Sequence, residues 1–124
     1  MSTSESKAKT LQERLVGFAA EIVQISAKLP KTMQGTDIAK QILRSGTAAA
    51  ANYGEARGAE SRSDFIHKLR IVLKELNETG IWLDLIVASS LLSQDKSMRI
   101  VAENQELCRI IAASIKTAGG FDRS

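Results

Sequence analysis

Cys108 is the only cysteine in the chain, so no disulfide can form within it. That fits a reducing compartment. The N-terminal run Met1-Ser2-Thr3-Ser4-Glu5-Ser6-Lys7 lacks the apolar stretch of a secretory signal. A cytoplasmic protein is therefore expected. No stretch of about 18 consecutive apolar residues occurs, and no membrane span is expected. Pro30 is the only proline. A β-sandwich or barrel would need frequent Gly/Pro turn signals, and they are missing. Aromatic residues make up 4 %, so the core must be aliphatic, and base-stacking platforms for sequence-specific reading of single strands are nearly absent.

The chemistry-bearing types are just as sparse. His67 is the single histidine, whereas a metal site needs three or four ligands. Neither a Gly-rich phosphate loop nor a nucleophile elbow is present. No catalytic residue, metal or cofactor is expected, and the chain reads as a non-enzyme. Charge is nearly balanced, with 17 basic against 14 acidic residues and a formal net of +3. So mild an excess permits a polyanionic partner such as RNA without requiring one.

What is present is helical periodicity. The 124 residues suit one domain. Leu11, Leu15, Phe18, Ile22, Ile25 and Leu29 recur at alternating steps of four and three, which is a single helical stripe. A first helix is expected over 7–29, ended by Pro30. A second should begin after Lys31–Gly35, capped by Thr36 or Asp37, and run to about Arg57. Ile38, Ile42, Leu43, Ala49, Ala50 and Tyr53 line its apolar side. The small residues Ser45–Ala51 allow close helix approach. Ser61, with Asp64 three residues on, marks the start of a third helix reaching about Ser89. The fourth is expected over 94–118, with Val101, Cys108, Ile111 and Ile115 on its main stripe. Short links between amphipathic helices give an all-α, antiparallel up-down four-helix bundle. Residues 1–6 are expected to be a flexible N-terminus, 7–118 the bundle and 119–124 a flexible tail.

Charged residues on the second and third helices fall at complementary spacing. Gln41, Arg44, Ala48, Asn52 and Glu55 share one face of the second. Asp64, Lys68, Glu75, Glu78 and Trp82 lie on or near one face of the third. Folding the pair antiparallel sets Asn52 and Glu55 opposite Lys68, and Arg44 opposite Glu75 and Glu78. An interhelical polar network of Arg44, Asn52, Glu55, Lys68, Glu75 and Glu78 is expected to fix register. Nearby cations would hold the carboxylates ionised, which opposes acid–base catalysis. If the network is buried, removing one partner should cost about 3–5 kcal/mol. Arg44, Arg57, Arg62, Lys68 and Arg70 are the candidates for phosphate contact.

Two sets of residues carry a family resemblance. One is Leu29-Pro30-Lys31-Thr32, Gly35, Gln41, Arg44-Ser45 and Ala51-Asn52-Tyr53-Gly54-Glu55-Ala56. The other is Ser61, Asp64-Phe65, Lys68-Leu69, Lys74-Glu75, Glu78 and Trp82-Leu83. Together they resemble the bacterial four-helix-bundle proteins named after ribosomal-RNA intervening sequences. The resemblance extends from about Leu11 to Ile115. It implies a homopentamer and kinship with the accessory variability protein of diversity-generating retroelements. That relative binds a reverse transcriptase and nucleic acid, so RNA or DNA and a reverse transcriptase are the partners implied. A protein-interaction scaffold without nucleic-acid binding is the alternative.

Overall fold

Side-chain caps fix where three of the helices begin. The computed structural model describes residues 3–119 and contains α1 (Ser4–Lys28), α2 (Met33–Arg57), α3 (Arg62–Ala88) and α4 (Gln94–Gly119). Thr3, Thr32 and Ser61 each accept a hydrogen bond at 3.0 Å from the backbone N–H three residues on, which satisfies one of the free donors at a helix start. α1 thus starts at Ser4, three residues before the expected Lys7. α2 starts at Met33, so the cap is Thr32 rather than Thr36 or Asp37. Gly35 looked like part of a connector, but it is the third residue of the helix. The expected tail, 119–124, lies outside the described residues apart from Gly119, which is the last residue of α4.

The other helix ends are equally explicit. Leu29 leaves the α region at φ −66° and ψ 149°, as the residue before a proline does. After α3, Ser90 adopts a left-handed φ of 55°. Its N–H reaches the Val87 carbonyl and that of Leu91 reaches Ile86, both at 3.1 Å. This is the Schellman arrangement, with serine where glycine is usual.

The result is an all-α four-helix bundle. One layer of core side chains runs its length, with Leu15, Phe18 and Ile22 from α1 meeting Ile42, Leu76, Leu83, Leu107 and Ile111, each at most 1 % exposed. Burying one such side chain fully contributes about 1.5–3 kcal/mol. The centre of the α4 stripe is rotated from expectation. Ile100, Asn104, Leu107 and Ile111 are buried, while Val101, Cys108 and Ile115 are half-buried at its edge. Leu43, expected in the core, is 38 % exposed.

Sequential helices pack closely. Gly46 of α2 meets Ile22 of α1, and Gly80 of α3 meets Asn104 of α4. The α1–α4 seam is looser. It is bridged by Arg14 to Glu103, at 2.7 and 2.9 Å, and by Arg99 to Glu21, at 2.5 Å. An open groove of about 850 Å³ with Leu11, Tyr53, Phe65 and Ile110 on its walls occupies one end of the seam. No helix among the described residues is long and apolar enough to cross a membrane.

Candidate functional site

The α2–α3 seam is where the sequence places its polar chemistry. Its inner layer is made of small hydroxyls. Thr79 Oγ1 and Ser45 Oγ lie 2.8 Å apart, both fully buried, and the Glu75 carbonyl is equally close to Thr79 Oγ1. Outside that layer come the charges. Arg44 donates to Glu75 at 3.3 Å and also to Glu78. Trp82 Nε1 donates to the same Glu78 carboxylate at 3.0 Å. One turn from the α2–α3 link, Lys68 Nζ donates to Glu55 at 2.8 Å. Asn52 does not reach Lys68. Its amide donates to the Ala48 carbonyl of its own helix at 2.9 Å.

The expected burial is absent. The Arg44 side chain is 51 % exposed and Glu78 is 32 % exposed. Water screens these pairs, so the cost expected for an orphaned buried charge does not apply to them. The physical effect of the network is to keep its members ionised. The hydrogen bond from Arg44, followed by that from Trp82, holds the Glu78 carboxyl below the usual range, and Glu78 holds the Arg44 guanidinium above its own. Because the folded pKa of Glu78 is depressed, its contribution is present above the ordinary glutamate value of about 4.3 and is lost as pH falls through the lower folded value. Glu78→Gln should therefore lower stability at pH 7 by less than about 1 kcal/mol. Wild type and variant should converge at a pH well below the ordinary glutamate value. Urea denaturation at the two pH values measures both.

The phosphate-contact candidates do not form one patch. Arg44 and Lys68 are engaged as described, and Arg57 donates to Gln12 at 2.6 Å and to Glu5. Arg62 and Arg70 are exposed and make no ion pair among the described residues. Sequence reasoning missed Asn104, which is 4 % exposed and donates to the Leu76 carbonyl at 3.0 Å. An asparagine spaced as a core position was the available signal. Cys108 Sγ donates to Asn77 Oδ1 at 3.5 Å, and burial pushes its thiol up, so at neutral pH it is protonated and a poor nucleophile. Among the described residues no three His, Cys, Asp or Glu side chains converge.

A second surface has the opposite character. Val16, Ala20, Val23 and Ala27 form an exposed stripe on α1. Beside it on α2 run Leu43, Thr47, Ala50 and Gly54. Neither stripe carries a charge, and Val16 and Val23 are 53 % and 45 % exposed. A Cβ placed on Gly54 would meet nothing within 4 Å. A separate exposed apolar pair, Ile81 at 63 % and Leu85 at 40 %, lies on the outer side of α3.

Comparison with known proteins fits this architecture. The family model described as 23S rRNA-intervening sequence protein matches residues 9–113. A crystal structure of a protein of unknown function from the S23 ribosomal protein family of Bacteroides thetaiotaomicron is similar in sequence and fold. It is 36 % identical, with a TM-score of 0.82, over 89 % of this chain and 98 % of that one. Among curated proteins none matches.

Proposed function

Because the chain belongs to the 23S rRNA-intervening sequence protein family, we propose that it is a non-enzymatic bundle that assembles with copies of itself and binds RNA or a nucleic-acid–protein complex. The observation that carries the assembly is the pair of exposed apolar surfaces, Val16/Val23/Leu43 on α1–α2 and Ile81/Leu85 on α3. A two-fold dimer needs one self-complementary patch. A ring needs two different patches that fit each other, one on each side of the subunit. Two such surfaces on one small bundle suit the ring. Five subunits is the number implied by the family resemblance. The small side chains at Ala20, Ala50 and Gly54 leave room for a neighbouring helix to approach closely.

Two features support a role without catalysis. The best-placed carboxylate, Glu78, is held ionised, which suits neither a general acid nor a base poised near neutral pH. The only thiol is held protonated. Support for RNA comes from the name of the family and the net charge of +3, which each added subunit multiplies.

Val23→Asp places an acid in the middle of the uncharged α1–α2 face. It should shift the chain from oligomer to monomer by size-exclusion chromatography with light scattering while helical circular dichroism is retained. An oligomer of unaltered mass would remove α1–α2 as the interface. For the RNA half of the reading, a gel shift with the wild-type chain in about 50 mM salt should show a retarded species. Free RNA at every protein concentration would eliminate RNA binding.

A further inference from the structure

We infer that the outer face of the α3–α4 seam, with Arg70, Lys74 and Lys116 at its centre, is the surface that contacts the phosphate backbone of an RNA duplex. This rests on the RNA-binding reading above. The register of the seam is set by the Asn104 amide donating to the Leu76 carbonyl at 3.0 Å and by Cys108 facing Asn77 at 3.5 Å. Going outward from Asn77 and Cys108 in the antiparallel pair, one turn reaches Lys74 on α3 and two turns reach Arg70 on α3 and Lys116 on α4. Arg70 and Lys74 are four residues apart and so stack on one face. All three cations are exposed, and none has an acidic partner among the described residues.

What sets this face apart is that its nearest acids are already engaged: Glu75 and Glu78, one and four residues from Lys74, both accept from Arg44, and Glu78 also accepts from Trp82. Asn77 and Gln105, both exposed, continue the face beyond the cations with neutral amides. Arg109 flanks them, paired only with Glu106 of its own helix at 2.6 Å, a solvent-exposed pair that a phosphate can replace at little cost. Along α3 the next acid on this side is Asp84, about 10 Å beyond Asn77 at 1.5 Å per residue. Elsewhere most exposed cations have a carboxylate close by in sequence, Lys31 being an exception. Lys7 and Lys9 stand near Glu5 and Glu13, Lys40 near Asp37, Arg62 near Glu60, and Lys96 beside Asp95. Opposed charges cancel at a distance, whereas three or four cations of one sign on a rigid helix pair add.

The chemistry of the face also selects the partner. A protein interface needs an apolar centre, whereas around Arg70, Lys74 and Lys116 the exposed apolar residue is Ala112 alone, and Ile81 enters only one turn beyond Asn77. Single-strand readers stack bases on aromatic rings, but the described aromatics lie elsewhere. Phe18 and Tyr53 are buried, Phe65 borders the α1–α4 groove, and Trp82 is held by Glu78. Cations with amides and no stacking platform match contact with sugar-phosphate backbone, the mode by which duplex RNA is bound through shape. The Ile81/Leu85 surface proposed for self-association begins one turn beyond Asn77 on α3, toward the opposite end of the seam from Arg70 and Lys116.

The test uses the full chain and a fluorescently labelled 20-base-pair RNA duplex, followed by anisotropy from about 50 to 200 mM salt. Arg70→Gln/Lys74→Gln/Lys116→Gln is compared with Lys9→Gln/Lys28→Gln/Lys40→Gln, which removes the same net charge from outside the seam. The seam variant should bind about tenfold or more weakly, with a slope of log affinity against log salt shallower by roughly three, as expected for three lost phosphate contacts. The control should change by less than about threefold. Equal losses in both variants, or none in the seam variant while wild type binds, would overturn the assignment and leave RNA binding standing. Absence of wild-type binding at the lowest salt would overturn both. Melting curves confirm that each variant is folded.

Discussion

Replacing Gly46 with valine is expected to destabilise the chain by about 3 kcal/mol. A Cβ at Gly46 would lie 2.8 Å from Ile22 Cγ2, 3.0 Å from Cγ1 and 3.1 Å from Cβ. Those atoms sit at the branch point of a fully buried isoleucine, so no flexible end can swing aside. Relief requires α1 and α2 to separate, which opens gaps along Leu15, Ile22 and Leu29. Glycine in a helix interior normally sacrifices about 1 kcal/mol relative to alanine. Its presence here is offset by the close helix approach it allows. Chemical denaturation of Gly46→Val alone and with Ile22→Ala provides the check, since the second change should recover part of the loss through coupling between neighbours. A single variant as stable as wild type would show that the two helices are not in close contact there.

Gly35→Ala should lower stability by about 2–3 kcal/mol, a reversal of the usual sign for glycine-to-alanine in a helix. The new Cβ would be 2.0 Å from the Pro30 carbonyl oxygen and 3.0 Å from its carbon. Both are backbone atoms, so the corner Leu29-Pro30-Lys31-Thr32 must move. Moving it breaks the capping bond that the Gly35 N–H donates to Thr32 Oγ1, worth about 1 kcal/mol by itself. The matched control is Gly17→Ala on α1. Nothing lies within 4 Å of a Cβ at that position, so it should gain roughly 0.5–1 kcal/mol from helix propensity alone. Urea melts of the two variants should move in opposite directions. A shift of both in the stabilising direction would contradict the corner geometry.

The same corner shows where the sequence was readable and where it was not. Pro30 fixed the end of α1, because its ring constrains Leu29. Gly35 then suggested a breaker, and the start of α2 was expected four or five residues late. Glycine is a breaker when it supplies unusual dihedrals, but here it supplies only the space that Pro30 needs. Local pattern cannot separate those two uses, because the space is defined by how the α1–α2 link folds back to bring the Pro30 carbonyl against Gly35. The α4 stripe was displaced for a related reason. Asn104 occupies the central core position, and a polar residue is invisible to an apolar-periodicity count even when a carbonyl such as that of Leu76 satisfies it.

The polar seam was more legible in its partners than in its environment. Complementary charges at helical spacing located Arg44 opposite Glu75 and Glu78, and Glu55 opposite Lys68. Asn52 went to its own helix because the Ala48 carbonyl four residues back is always within reach. Exposure was out of reach, since it depends on what covers the seam from outside. Phosphate contacts followed the same rule. Counting cations picked out Arg44, Arg57 and Lys68, which are occupied by Glu78, Glu5 and Glu55. Lys74 and Lys116 stand out only once α3 and α4 are in register.

Sedimentation equilibrium of the intact wild-type chain tests most directly the claim that the uncharged α1–α2 face and the Ile81/Leu85 surface exist to meet other copies. The account predicts a mass near five times the 13.4 kDa of one chain, about 67 kDa, at micromolar concentration. A mass of one chain across the concentration range would contradict it.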